Sequence, residues 1–280
     1  MKIFNNFIIS KKYKRSSLAI GNFDGVHKGH QKVFKFARKT KSKFGILTFS
    51  PLPVMFFNKK IKNYRLTSEK DKFFLLKKCG VNFIVNIKFN KSFSKISAEN
   101  FIKNIIFKKI NPSLIFVCSN FKFGNKRRGD IKLLNKFSKK FKYKLINTKA
   151  FKHRGKIVSS TLIRKNLQKG NLDLANNLLS RTWFIEGNVK KGKKLGKKLG
   201  YPTCNINIKN YILPKIGIYS VKVSIGNNPK IFNGVAYLGF RPTFGGKKII
   251  LEVNIFNIKK NLYKKKLRVY FLKFIRGEEK

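Results

Sequence analysis

The stretch from Leu18 to Phe34, LAIGNFDGVHKGHQKVF, decides how the first half of this chain is read. Its apolar opening reads as a buried strand, and Val33, Phe34 and Ala37 then share one face of a helix whose other faces carry Lys and Arg. Between the two, Gly25 and Gly29 flank His27, and His30 follows in a chain with only 3 histidines. A strand ending at Gly21, a glycine-bearing turn and a helix start aim free backbone N–H groups and the positive helix end at an anion. Imidazole N–H groups placed there can hold phosphate oxygens while charge builds in a displacement reaction. The spacing is neither G-x-G-x-x-G nor a Walker A loop. Two ordinary loop histidines are the competing reading, and it is the weaker one in so histidine-poor a chain.

The same alternation continues down the chain. FGILTFSP (residues 44–51) reads as a strand stopped by Pro51 and Pro53, and TSEKDKFFLLKKCG (67–80) as a helix with Ser68 and Asp71 at capping-box spacing. VNFIVNIKF, SLIFVCS and YKLINTKA read as strands, with SAENFIKNIIFKK, GDIKLLNKFSKKF and SSTLIRKNLQKG as helices. This pattern predicts a parallel, doubly wound, Rossmann-like α/β domain with ligand chemistry at the carboxyl ends of its strands. Around Arg181 to Phe184 the rhythm changes to short strands separated by Gly-rich turns, which predicts a small closed antiparallel β-barrel. Two domains are therefore expected, 1–181 and 182–280.

With 66 Lys+Arg against 10 Asp+Glu, the formal net charge is +56. The lysines are spread along the whole chain and travel with surplus Asn, Ile and Phe, the profile that A/T-rich codons produce. No specific nucleic-acid partner is expected, although such a charge binds polyanions non-specifically at low salt. Cys79, Cys118 and Cys204 are far apart and odd in number, so reduced thiols in a cytoplasmic protein are expected. No apolar run approaches the ~20 residues of a membrane span, and the N-terminal segment lacks the marks of a signal peptide. The sequence assigns no oligomeric state.

Other segments carry weaker signals. VSSTLIR (158–164) sets Ser159, Ser160 and Thr161 at a helix start with Arg164 one turn later, a set that suits a triphosphate but also a plain helix cap. SNFKFGNKRRGD (119–130) offers aromatics, glycines and a basic pair, or simply a solvated basic loop. Gly187 with Gly192 and Lys193 nearly matches Walker A, but Lys194 replaces the Ser/Thr and no helix follows, so a P-loop is rejected. In GYPTCN, Thr203 and Asn205 alternate on a new strand and so share a face, where their oxygens could serve Mg²⁺ and phosphates. Glu252, in LEVNIF, is costly to bury without a partner. It fits a solvent-facing position on a barrel nearly as well, and both readings stay open.

The string G-x-F-D-G-V-H-x-G-H, followed in order by F-x-P-x-P, N-F-x-F-G and S-S-T-x-I-R, resembles the adenylyltransferase module of bacterial bifunctional riboflavin kinase/FAD synthetases. GKKLGYPTCN, GVAYLGFRPTFGG, LEVNIF and LYKKKLRVYFLKFIR resemble, again in order, the riboflavin kinase module of the same family. The resemblance runs from about Leu18 to Arg276. It implies that the first module transfers AMP from ATP to FMN, with His27 and His30 catalytic. Asn22, Asp24, Gly25, Gly29, Ser159, Ser160, Thr161 and Arg164 would bind ATP there, and Pro51, Pro53, Asn120, Phe123 and Gly124 the flavin. For the kinase it implies ATP-binding by Gly192, Gly196, Gly200, Thr203 and Asn205, Mg²⁺ held by Thr203 and Asn205, and Glu252 as the base. Ser50, Cys118 and Cys204 depart from common family residues.

A family member is expected to continue into a C-terminal helix, which this sequence, ending at Lys280, lacks. The expected activity is a two-step, Mg²⁺-dependent synthesis with ATP as co-substrate: riboflavin to FMN, then FMN to FAD with release of pyrophosphate. Riboflavin, FMN and ATP are the expected partners, with no membrane. One rival keeps FAD synthesis alone, the kinase being weakened by the short C-terminus. Another is a basic nucleic-acid-binding protein on the same scaffold.

Overall fold

The computed structural model describes residues 1–190, 202–208, 210–226, 228–243, 246–258 and 261–278, without the side chains of 241–243 and 246–248. The chain forms two compact units, one of residues 1–61 and 69–158, the other of residues 62–68 and 159–280.

The first unit is built on six strands: β1 (Lys2–Phe4), β2 (Ser17–Ile20), β3 (Phe44–Ser50), β4 (Phe83–Lys88), β5 (Leu114–Cys118) and β6 (Lys144–Thr148). They pair in the order β1-β4-β3-β2-β5-β6, every ladder parallel. Chain order runs one way from β2 through β3 to β4, then jumps to the other side of β2 for β5. Ligands of open parallel sheets settle at such a reversal, outside the carboxyl strand ends. The loops leaving β2, β5 and β3 there are the ones that carry the histidines, the N-F-x-F-G segment and the prolines.

Alternate strand residues fill two separate apolar layers, as a sheet covered on both faces requires. Leu18, Ile20, Leu47, Val85, Ile115 and Val117 face one layer with the helix of residues 98–110 and helix 131–138. Ala19, Ile46, Ile84 and Phe116 face the other, against Val33, Phe34 and Ala37 of α1 (Lys28–Arg38). That is the helix face expected from the sequence. Gly45 is required in this sheet, because a Cβ there would lie 2.1 Å from the Phe83 ring.

The second unit is a closed barrel. Residues Phe184–Lys190, Thr203–Ile206, Gly217–Ile225, Ile231–Thr243, Gly246–Ile255 and Lys266–Arg276 form its six strands, all antiparallel. Ile185, Val221, Val223, Ala236, Leu238, Leu251, Val253, Leu267, Val269 and Phe271 are buried inside. Closure removes the exposed edges that six short strands would otherwise present. Helices 160–168 and 172–179 and the segment 62–68 group with this barrel. Trp183 ties the segment in by donating from Nε1 to the Leu66 carbonyl at 2.8 Å. The second helix and the excursion of 62–68 are features that the strand–helix alternation did not reveal.

Candidate functional site

In the first unit, His27 is the residue before the first turn of α1. It is buried, and His30 lies one turn on with part of its surface accessible. Their rings stack, 3.6 Å between centroids and 20° between planes. Phe23 closes on His30 edge-on at 5.1 Å. Gly29 makes the arrangement possible, since a Cβ there would approach the His27 ring at 3.2 Å and the Val158 carbonyl at 3.3 Å. The loop leading in has left-handed backbone at Phe23, Gly25 and Val26 (φ 49°, 84° and 44°). Gln31 ties it back, donating from Nε2 to the Val26 carbonyl at 2.8 Å.

Burial, then the charges of His27 and Lys72, hold the His30 imidazole well below its ordinary pKa. His30 Nδ1 is enclosed and has no hydrogen-bond partner among the described residues. Asp24 is buried beside the pair in sequence, while Asn22 is exposed and its carbonyl accepts from Thr48 Oγ1 at 3.2 Å. Thr48 in turn accepts from Lys72 Nζ at 3.1 Å, and both are buried. Sequence reading passed over this pair. Lys72 looked like one more basic position on a helix, and the only signal was its place beside Asp71 at a helix start.

Pro51 and Pro53 follow β3, Pro53 opening a short helix, Pro53–Phe57. Asn120 is exposed in the loop after β5, whereas Phe123 is buried, bridged to Gly129 and packed into the core against Phe101 at 5.4 Å. Gly124 has φ 73°, and a Cβ there would lie 2.6 Å from the Ala98 backbone. A run of rings from Phe57 through Phe56, Phe89, Phe93 and Phe101 to Phe123 and Phe121 joins the two loops, with successive centroids between 5.2 and 6.2 Å apart. Phe57, at one end, is 69% exposed.

In the second unit, Ser159 caps its helix by accepting from Leu162 N at 3.2 Å, followed by half-buried Ser160 and exposed Thr161. Arg164 is buried, donates from Nε to the Tyr64 carbonyl at 2.8 Å and lies 3.7 Å over the Tyr64 ring.

The barrel answers the question left open for Glu252. Leu251 and Val253 on either side are fully buried, so Glu252 faces outward. Asn205 stands opposite it on one neighbouring strand and Tyr237 on the other. Thr203, two residues from Asn205, shares that outer face and is paired with Asn254. Thr203, Asn205 and Glu252 thus form one cross-strand group. Gly192, Gly196 and Gly200 lie outside the described residues.

Residues 9–162 match the FAD synthetase family model, and residues 179–280 match the riboflavin kinase model. The chain is 42% identical to a bifunctional riboflavin kinase/FMN adenylyltransferase of Buchnera aphidicola from Schizaphis graminum, over 96% of this chain and 88% of that one. It is 34% identical to the protein of that name from Escherichia coli K12, over 94% and 85% respectively. A solved structure described as a macrolide-efflux protein from Streptococcus pneumoniae superposes with a TM-score of 0.86 at 27% identity, covering 99% of this chain and 91% of that one. Among the described residues no helix is long and apolar enough to cross a membrane.

Proposed function

The chain belongs to the bifunctional riboflavin kinase/FMN adenylyltransferase family, and from that premise we propose which residues carry each of its two reactions. It is an enzyme with both activities: ATP phosphorylates riboflavin to FMN, and a second ATP adenylylates FMN to FAD with release of pyrophosphate. Residues 1–181 are assigned to adenylyl transfer and 182–280 to phosphorylation, in keeping with the two family matches.

In adenylyl transfer an FMN phosphate oxygen attacks the α-phosphorus of ATP, and the bond to the bridging oxygen breaks as pyrophosphate leaves with the electron pair. The stacked pair His27 and His30, at the sheet's reversal point, is the observation that carries this reading. With Nδ1 of His30 enclosed, Nε2 is the atom left to meet a phosphate oxygen. The start of α1 supplies Gly25 and Gly29 beside the triphosphate, together with Asn22 and Asp24. Ser159, Ser160, Thr161 and Arg164 hold the β- and γ-phosphates. Pro51, Pro53 and Asn120 line the flavin, with Phe123 and Gly124 shaping that loop from the core side. Positioning and charge stabilisation do the chemistry, with no covalent enzyme intermediate.

In the kinase, Glu252 takes the proton of the ribityl 5′-hydroxyl as its oxygen attacks the γ-phosphorus and ADP departs. Support comes from its outward place between Asn205 and Tyr237. The neutral oxygens of Thr203 and Asn205 suit Mg²⁺, which keeps several waters and binds through few protein ligands plus phosphates. Bound there, the ion would offset charge on the transferring phosphate. We place the protein in the cytoplasm, where its three cysteines would stay reduced.

The deciding experiment starts parallel incubations with Mg-ATP from riboflavin and from FMN, with flavins separated by chromatography. FAD from both is expected. FAD from the FMN run alone would refute kinase activity, and none from either would refute the assignment.

A further inference from the structure

Lys72 sits on helix Glu69–Lys78 of the first unit, yet it is only 4% exposed. An ammonium taken out of water is costly, and an apolar side chain of the same length would occupy that volume without the cost. Lys72 Nζ donates to Thr48 Oγ1 at 3.1 Å, and that hydroxyl reaches the Asn22 carbonyl at 3.2 Å. A hydroxyl carries one proton. With the ammonium donating to the oxygen of Thr48, that proton is committed to Asn22. Asn22 opens the loop whose next residues include the left-handed Phe23, Gly25 and Val26 and which ends at His27. Backbone of this kind persists only where its surroundings hold it.

We propose that Lys72 is a positioning residue for adenylyl transfer: through Thr48 it holds the Asn22–His27 loop, and with it the stacked imidazoles, in the geometry that meets the phosphates. The inference rests on the reading of the His27–His30 face as the adenylyl-transfer centre. A second observation agrees with it. After burial, the charges of His27 and Lys72 hold His30 below its ordinary pKa, so the ammonium lies within electrostatic reach of the ring.

The test is steady-state FAD formation from FMN and Mg-ATP by the full chain carrying Lys72→Met, Lys72→Arg, Thr48→Val or His30→Ala, each with a thermal melt. Lys72→Met is expected to lower kcat about 10- to 100-fold, with KM for FMN moved less than about 3-fold, as loss of orientation and not of binding. Lys72→Arg restores part of the loss, and Thr48→Val lowers kcat at a temperature well below its melting transition. A Lys72→Met protein that melts like the parent and keeps its kcat overturns the proposal. Should Lys72→Met fail to fold, Thr48→Val decides, and an unchanged kcat there overturns the proposal equally. Loss in His30→Ala without loss in Lys72→Met removes this inference alone. No loss in either removes the site reading with it.

Discussion

The imidazole rings of His27 and His30 lie face to face, 3.6 Å between centroids. Two imidazolium ions cannot both be held at that separation in a covered site, because each charge raises the cost of the other. Burial acts in the same direction and favours the neutral form of His30. A neutral imidazole can still donate one N–H to a phosphate oxygen. Replacing either histidine by alanine should lower FAD formation from FMN by about 10²–10³-fold, the cost of removing one preorganised donor. FMN formation from riboflavin, followed in the same assay, should survive both changes.

His30 also makes stability pH-dependent. Its folded pKa lies below the unfolded value of about 6.5, so between the two the unfolded chain binds a proton that the native ring refuses. Stability therefore rises with pH across that window and falls as pH drops below about 6.5. Urea midpoints at acid and neutral pH should differ less for His30→Gln than for the parent. An unchanged difference would mean the ring titrates normally.

Glu252 faces out of the barrel between Asn205 and Tyr237. Glu252→Gln keeps shape and removes the base, so riboflavin phosphorylation should fall about 10²–10⁴-fold while FMN adenylylation continues. Retained kinase activity would move the base elsewhere.

Gly124 combines φ 73° with a virtual Cβ 2.6 Å from the Ala98 backbone. Gly124→Ala should destabilise the first unit by about 1–3 kcal/mol through strain and overpacking. Measured by denaturant unfolding, a neutral result would show that the Ala98 segment gives way.

Glu186 on the barrel's first strand is clamped by Lys266 and by Arg268, whose Nη2 lies 2.7 Å away. Burial pushes its carboxyl up, but the two cations outweigh it and hold the pKa below the ordinary value. This stabilisation is fully present above the unfolded carboxyl pKa of about 4.3 and is lost as pH falls through the folded value. Glu186→Gln should cost about 1–2 kcal/mol at pH 7, discounted because Lys266 is 40% exposed at its side chain, and less at pH 2. Equal loss at both pH values would assign the effect to packing.

Much of this fold is legible in local patterns. Val33, Phe34 and Ala37 fall on one helix face, the run from Leu18 to Ile20 reads as buried strand, and all six barrel strands announce themselves by alternation and turns. Periodicity records which side of one element a residue occupies, and that is a local property. Arg164 shows the limit. Its helix is evident, but its bond to the Tyr64 carbonyl joins residues 100 apart, and no pattern within either segment encodes it.

The sequence by itself determined a parallel α/β half followed by an antiparallel barrel, the order of the motifs and the residue types at each candidate site. Tertiary structure alone decided that Glu252 faces outward opposite Asn205, that the two imidazoles stack, that Phe123 is core, and that Lys72 is buried on Thr48. The physical reason is that ladder register and interior packing are set by the whole chain minimising voids and unmet polar groups. Side chains on different elements meet only once that collective arrangement exists.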